Sequence, residues 1–397
     1  MPFLTGTVSF LRFAVDGGKP DLFGDEQLDA LRQFAAGRSR LASADGVEVG
    51  WAASKHVLDT DFSLEKNIVN DALCFDLRVD TDKLPADMLK AYYEIELKAL
   101  AANNPSGLPS AKQRREAKET ARDRLEDEAK DGRFKKRKCV PVMWDRRSNE
   151  LLFGATSVAH ADRLVSLFGQ TFGRKLMALT SGVCSRVKAP DAFARHAAEK
   201  VGYATAPTLS PFVAGVTPEE IAWIPDSESR DFLGNEFLLW LWFNSDGESD
   251  TVKLADGSEV TFMLARRIDV ACPRGQTGVD AFKHEGPAKL PEALRAIRAG
   301  KLPRRCGLTV VRHDRQHEIT LLGEWLGVGT GRLPKPDENV TDARAKLEAR
   351  VDAVRDLVET LDLLYAAFCR VRLTSAWAET LARMQRWLSL GERREAA

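Results

Sequence analysis

Apolar and polar positions alternate over residues 6–15, which predicts a strand, and Asp25 then caps a short helix with Leu28, Leu31 and Phe34 on one face. Residues 47–51, 68–73 and 74–79 read as antiparallel strands bounded by Gly46, Asn70 and Asp80. From Leu84-Pro85 the period lengthens. Leu89, Tyr93, Leu97 and Leu100 recur at helical spacing until the cluster at 103–107 stops them. Ser110, with Gln113 three residues on, is a capping box in which the hydroxyl accepts from a free backbone N–H and the amide reaches back to the cap. The helix it opens has only Ala117, Ala121, Leu125 and Ala129 as an apolar stripe. So thin a stripe is expected not to bury deeply, and the charged helical pair is expected to project into solvent, with Gly132 closing it.

A strand over 134–144 follows, with Arg146-Arg147-Ser148-Asn149 as the hairpin to 150–156. Ser157 then caps a helix whose Val158, Ala161, Leu164, Val165 and Phe168 face inward, and 176–179 is a short strand. Prolines at 207–225 suggest a connection. The most apolar run, 232–243, is about half the ~20 residues a bilayer span needs and contains Asn235 and Glu236, so it reads as core. A helix over 290–299 is ended by Gly300-Lys301, and a hairpin over 307–322 turns at Asp314-Arg315-Gln316. Residues 327–336, rich in Gly and Pro, read as a flexible linker. Beyond them Leu347, Val351, Val354, Val358, Leu361, Tyr365 and Phe368, then Trp377, Leu381, Met384 and Leu388, predict two long amphipathic helices. Intramolecular packing suits them better than a coiled coil, because the first pattern breaks at Arg372 after about four heptads.

The fold class is α+β, with antiparallel sheets, packed helices and C-terminal helices. The order suggests a central α/β domain (1–83 with 133–206), a helical tip (84–132), a second α/β or base domain (207–335) and a C-terminal helical segment (336–397).

Composition changes little in this picture: 44% hydrophobic and 29% charged residues among 397 is ordinary for a globular protein. Lys plus Arg equals Asp plus Glu at 58 each, so any polyanionic partner must be argued from where the charges sit. They sit in blocks. Residues 112–138 hold twelve basic against seven acidic residues, a local charge of +5. Residues 216–260 carry eleven acidic against two basic, and 266–315 twelve basic against five acidic. Six cysteines without a Cys-x-x-Cys pair, behind an N-terminus lacking a leader, suggest a reducing cytoplasmic compartment.

Enzyme motifs mostly fail. Gly327-Val328-Gly329-Thr330-Gly331 lacks the lysine of a phosphate loop, and Pro334 argues against a following helix. His313 and His317 lie four apart on a predicted hairpin, where that spacing gives no shared helical face and no further ligand is near. No cysteine sits beside a histidine. No catalytic residue, metal or cofactor is expected. The positive signal is electrostatic: Arg133, Lys135, Lys136, Arg137 and Lys138, with Lys301, Arg304 and Arg305, could neutralise phosphates along a duplex, each releasing counterions. The bland reading of such a run is a solvated face. Nothing resembles a base-reading helix. For 232–243 the functional reading is an oligomer face, since aromatics enrich such cores.

Taken in order, Gly50-Trp51, Leu77-Arg78, Leu84-Pro85, the charged excursion, Phe134, Trp144-Asp145, Asn149-Glu150-Leu151, Thr156-Ser157, Phe168-Gly169 and Ala299-Gly300-Lys301-Leu302 resemble the recombination-associated protein RdgC family. The likeness spans roughly residues 1–335 and rests on order and spacing; the chain is longer than typical members, as a divergent branch would be. The resemblance implies a ring-shaped homodimer around double-stranded DNA, bound without sequence preference, and restraint of a RecA-type recombinase. It implies a nucleoid-associated protein whose excursion meets its twin, with Leu125 and Phe134 as dimer contacts. The expected function is therefore non-catalytic duplex binding with no membrane partner. The alternative is a protein-interaction adaptor using the charged hairpin and the C-terminal amphipathic helices.

Overall fold

A computed structural model describes residues 3–38, 47–82, 84–102, 104, 107–199, 208–213, 221–335 and 340–395. The expectations placed on Gly46, on Asn103, Pro105 and Ser106, on much of 207–220 and on Pro336 lie outside these residues.

In chain order the elements are β1 (Val8–Val15), α1 (Asp25–Gln33), β2 (Val47–Ala52), α2 (Leu64–Asn67), β3 (Ile68–Val69), β4 (Ala72–Asp82), α3 (Ala86–Ala101) and α4 (Ala111–Ala129). Then come β5 (Lys135–Asp145), β6 (Glu150–Phe153), α5 (Val158–Phe172), β7 (Leu176–Ala178), α6 (Ser181–Val187), α7 (Pro190–Glu199), α8 (Phe232–Gly247), β8 (Thr251–Lys253) and β9 (Glu259–Ala271). The last are β10 (Asp280–His284), α9 (Pro291–Arg298), β11 (Leu302–Arg312), β12 (Arg315–Leu322), β13 (Gly327–Arg332), α10 (Ala343–Arg372) and α11 (Ala376–Glu395). This is an α+β chain with antiparallel strands, as expected. It forms two compact units, one of Met1–Asp25, Leu64–Cys74 and Pro141–Ala397, the other of Glu26–Ser63 and Phe75–Val140.

In the first unit the strands run in the order β10-β9-β11-β12-β13-β1-β6-β5, every neighbouring pair antiparallel. β1 is the hinge of this order, its start paired with β13 and its end with β6 and β7. All twelve residues from Phe232 to Phe243 are buried, so α8 is apolar all round and forms the centre of the core. Its two polar members are hydrogen-bonded, although the Asn235 side-chain oxygen has no partner among the described residues. Asn235 donates to the Pro303 carbonyl at 2.8 Å and to Glu324 at 3.0 Å, while Glu236 accepts from Arg372 and from the Ser210 N–H. α10 and α11 belong to this unit and turn Val351, Val354, Leu357, Leu364, Phe368, Met384 and Leu388 into its core. No helix among the described residues is long and apolar enough to cross a membrane.

Three sequence expectations need correction. Residues 327–332 are not linker but β13, held between β12 and β1. The glycines serve close approach: a Cβ on Gly331 would stand 2.9 Å from Val8 Cγ2, and one on Gly327 would stand 2.8 Å from the Phe10 carbonyl oxygen. The 68–79 stretch turns at Asn70-Asp71, both left-handed at φ +48° and +60°, so β4 begins at Ala72 and not at Cys74. The later hairpin likewise turns one step earlier, at His313-Asp314, with φ +48° and +58°.

In the second unit β2 pairs antiparallel with β4, and Trp51 packs edge-on against Phe75. The Ser110–Gln113 capping box is formed. The stripe of α4 buries more deeply than its thinness suggested: Ala117, Ala121 and Leu125 are fully buried. The two alanines leave room for α3 to approach, and Tyr92 of α3 donates to Glu128 at 2.7 Å with Arg124 stacked on its ring. α3 itself has no buried residue.

Candidate functional site

Gly132, at φ +78°, turns the chain out of α4 and into β5. A strand buried on one face shows an alternation of buried and exposed positions; the first residues of β5 show none, because 135–138 contain no apolar side chain. Lys136, Arg137 and Lys138 are all exposed, and burial resumes at Val140. Lys135 is the exception, its ammonium 2.9 Å from Glu48 and its side chain only 17% exposed. Arg137 lies 3.7 Å from Asp80, whose carboxylate already receives two hydrogen bonds from Arg78. Among the described residues Lys136 and Lys138 have no ion-pair partner. Arg133 is folded back onto Asp131 at 2.7 Å. Burial pushes the neighbouring Cys139 thiol up to about 12, so it stays protonated and leaves the positive charge of the run intact.

In the second basic block, six of the twelve cations have an acidic partner among the described residues. Lys301 pairs with Asp280 at 2.6 Å, and Arg304 pairs with Glu324 at 2.8 Å and stacks on Trp223. Arg267, Arg312 and Arg266 are held by Asp269, Asp256 and Glu318. Arg305 alone of the three candidates is exposed and unpaired among the described residues. The β5 run and the Lys301 block belong to different compact units. Of the expected self-contacts, Leu125 is fully buried and Phe134 half-buried.

His317 is buried with Nε2 2.9 Å from Asp356, whereas His313 is exposed in the turn. Among the described residues no three acidic, histidine or cysteine side chains are grouped as metal ligands. All six cysteines are unpaired thiols.

Sequence reasoning missed a buried charge network in the first unit. The Arg12 guanidinium, only 1% exposed, donates to Glu150 at 2.8 Å and to both oxygens of Asp362, at 2.6 and 2.9 Å. Lys188 closes the square, 2.5 Å from Glu150 and 2.8 Å from Asp362. Burial would raise the Asp362 carboxyl, but Arg12 and Lys188 outweigh it and hold it below the usual carboxylate range. Burial would lower the Lys188 ammonium, and the same carboxylates raise it instead. The available signal was an arginine in the apolar strand 8–15, since a buried charge needs a partner. Glu150, Lys188 and Asp362 form one wall of a cleft of about 500 Å³.

No family model matches the chain, and no curated protein matches it either.

Proposed function

We propose that the chain binds double-stranded DNA through its phosphates, without sequence preference, and that the start of β5 is the principal contact. One observation supports the reading: three consecutive cations, Lys136, Arg137 and Lys138, are exposed, and among the described residues only Arg137 has an acidic neighbour, at 3.7 Å. The adjoining helix provides the contrast. On the second half of α4 and its exit the cations are compensated locally, Arg122 by Glu126, Lys130 by Asp127 and Arg133 by Asp131, as a solvated face allows, whereas Lys112, Arg114, Arg115 and Lys118 of the first half have no ion pair among the described residues. The β5 run is left to repel itself unless a polyanion neutralises it, and the released counterions then favour binding to any sequence. Arg305 offers an exposed guanidinium with no ion pair among the described residues, while Arg133, Lys135, Lys301 and Arg304 contribute field more than free donors.

The RdgC-like order of residues extends this proposal to a ring-shaped homodimer enclosing the duplex, with α3 and α4 as a projecting charged pair and the half-buried Phe134 at the contact with the second copy. It extends it further to restraint of a RecA-type recombinase at the nucleoid, in the cytoplasm, by a binding protein that performs no catalysis. A gel-shift titration of a random-sequence duplex at two salt concentrations tests the reading. Lys136→Glu/Lys138→Glu is expected to weaken binding strongly and Arg305→Glu modestly; binding by both variants equal to wild type would refute the assignment.

A further inference from the structure

We propose that the cleft lined by β5, β6, the end of α6 and α10 binds a small amphipathic organic anion, its apolar body along α10 and its acidic group at Arg370. At about 500 Å³ the cleft falls in the range of small-molecule sites. Its walls are mainly apolar, with Met143 and Leu152 from the strands facing Val358, Leu363 and Ala366 from the helix. Val187, half exposed, stands at the rim. Removing such a surface from water favours an apolar occupant.

The polar groups select the sign of the occupant's charge. The three inner carboxylates are engaged: Asp145 accepts from Arg355 and Ser148, and Glu150 and Asp362 accept from Arg12 and Lys188. A ligand cation would find only Glu359, which is 63% exposed and lies 3.6 Å from Arg312. Spare capacity lies instead with the donors. An ammonium has three N–H groups and Lys188 uses two, while a guanidinium has five and Arg370 uses one, from Nε to Asp191 at 3.3 Å. The two donors lie apart: Lys188 sits against Asp362, eight residues from Arg370 along α10, about 12 Å at 1.5 Å per residue, so Arg370 is the donor clear of the paired inner carboxylates. Glu359 is eleven residues from Arg370 along α10, about 16 Å at 1.5 Å per residue, so it does not oppose an anion there.

The probes are 1-anilinonaphthalene-8-sulfonate and its uncharged relative N-phenyl-1-naphthylamine, titrated by fluorescence against the full chain without DNA. Both should bind saturably to wild type. Val187→Trp, a substitution at the exposed rim, should block both. Arg370→Ala should weaken the sulfonate about tenfold, as loss of a charge-assisted contact of ~1.4 kcal/mol does, and leave the uncharged probe unchanged. Arg370→Lys, which keeps the charge, should restore most of the difference and serves if Val187→Trp fails to fold. No saturable binding to wild type, sulfonate binding indifferent to a folded Val187→Trp, or equal effects of Arg370→Ala on the two probes would each overturn the proposal.

Discussion

Arg12 and Asp362, 350 residues apart, are joined by two hydrogen bonds of 2.6 and 2.9 Å that tie the first strand to the middle of α10. Removing Asp362 leaves two buried cations, Arg12 and Lys188, sharing the single carboxylate of Glu150, so Asp362→Ala is expected to cost about 3–5 kcal/mol in denaturant unfolding. The paired replacement Arg12→Met/Asp362→Leu should recover much of that loss, because it leaves no unpaired charge. The pH dependence has a definite sign. Asp362 is held below its ordinary range, so it adds stability above the unfolded-state value near ~3.9, and that increment is lost as pH falls toward the native value. Asp362→Asn should flatten the acid limb of a plot of Tm against pH.

Asp76, in the second unit, carries the opposite shift. Burial drives its carboxyl up, with Asp59 adding to the effect, and its Oδ1 has no hydrogen-bond partner. A raised carboxyl pKa favours the fold when protonated, and that stability is lost as pH rises from the unfolded value through the native one. Asp76→Asn is therefore expected to raise Tm at pH 7 and to change it little below about pH 4, where both states are protonated.

Gly331 separates a strand from a linker. In a linker, Gly331→Val would be harmless or slightly stabilising. In β13 the added carbon meets Val8 at 2.9 Å and Val328 at 3.1 Å, and overpacking of that kind costs about 1–3 kcal/mol, read as a lower denaturation midpoint.

Leu125 tests the packing of α4. Its side chain is fully buried, so Leu125→Ala should cost about 2–5 kcal/mol in the unit that contains it, whereas a solvent-facing leucine would cost almost nothing.

What could be read in the sequence was what is local. Helical spacing placed α10 and α11, the Ser110–Gln113 box placed the start of α4, and the apolar run at 232–243 placed the core helix. Glycine misled at 327–331, because chain freedom and close packing call for the same residue. The turn at His313-Asp314 was set one residue late, since neither residue is a glycine and only the backbone reveals their left-handed φ. Formal charge misled most at Lys301 and Arg304: their partners Asp280 and Glu324 lie about twenty residues away, and pairing at that distance leaves no periodic trace. The four-residue run at 135–138 kept most of its charge because β5 offers it few acidic neighbours.

The central claim rests on those residues, and the salt dependence of duplex affinity tests it most directly. For wild type the logarithm of the association constant should fall linearly with the logarithm of salt concentration, by about 0.9 for each phosphate engaged. Lys136→Glu/Lys138→Glu should weaken binding of every sequence alike and make that slope shallower by about two contacts' worth, roughly 1.8. A wild-type affinity indifferent to salt, or a slope unchanged in the double variant, would contradict the account.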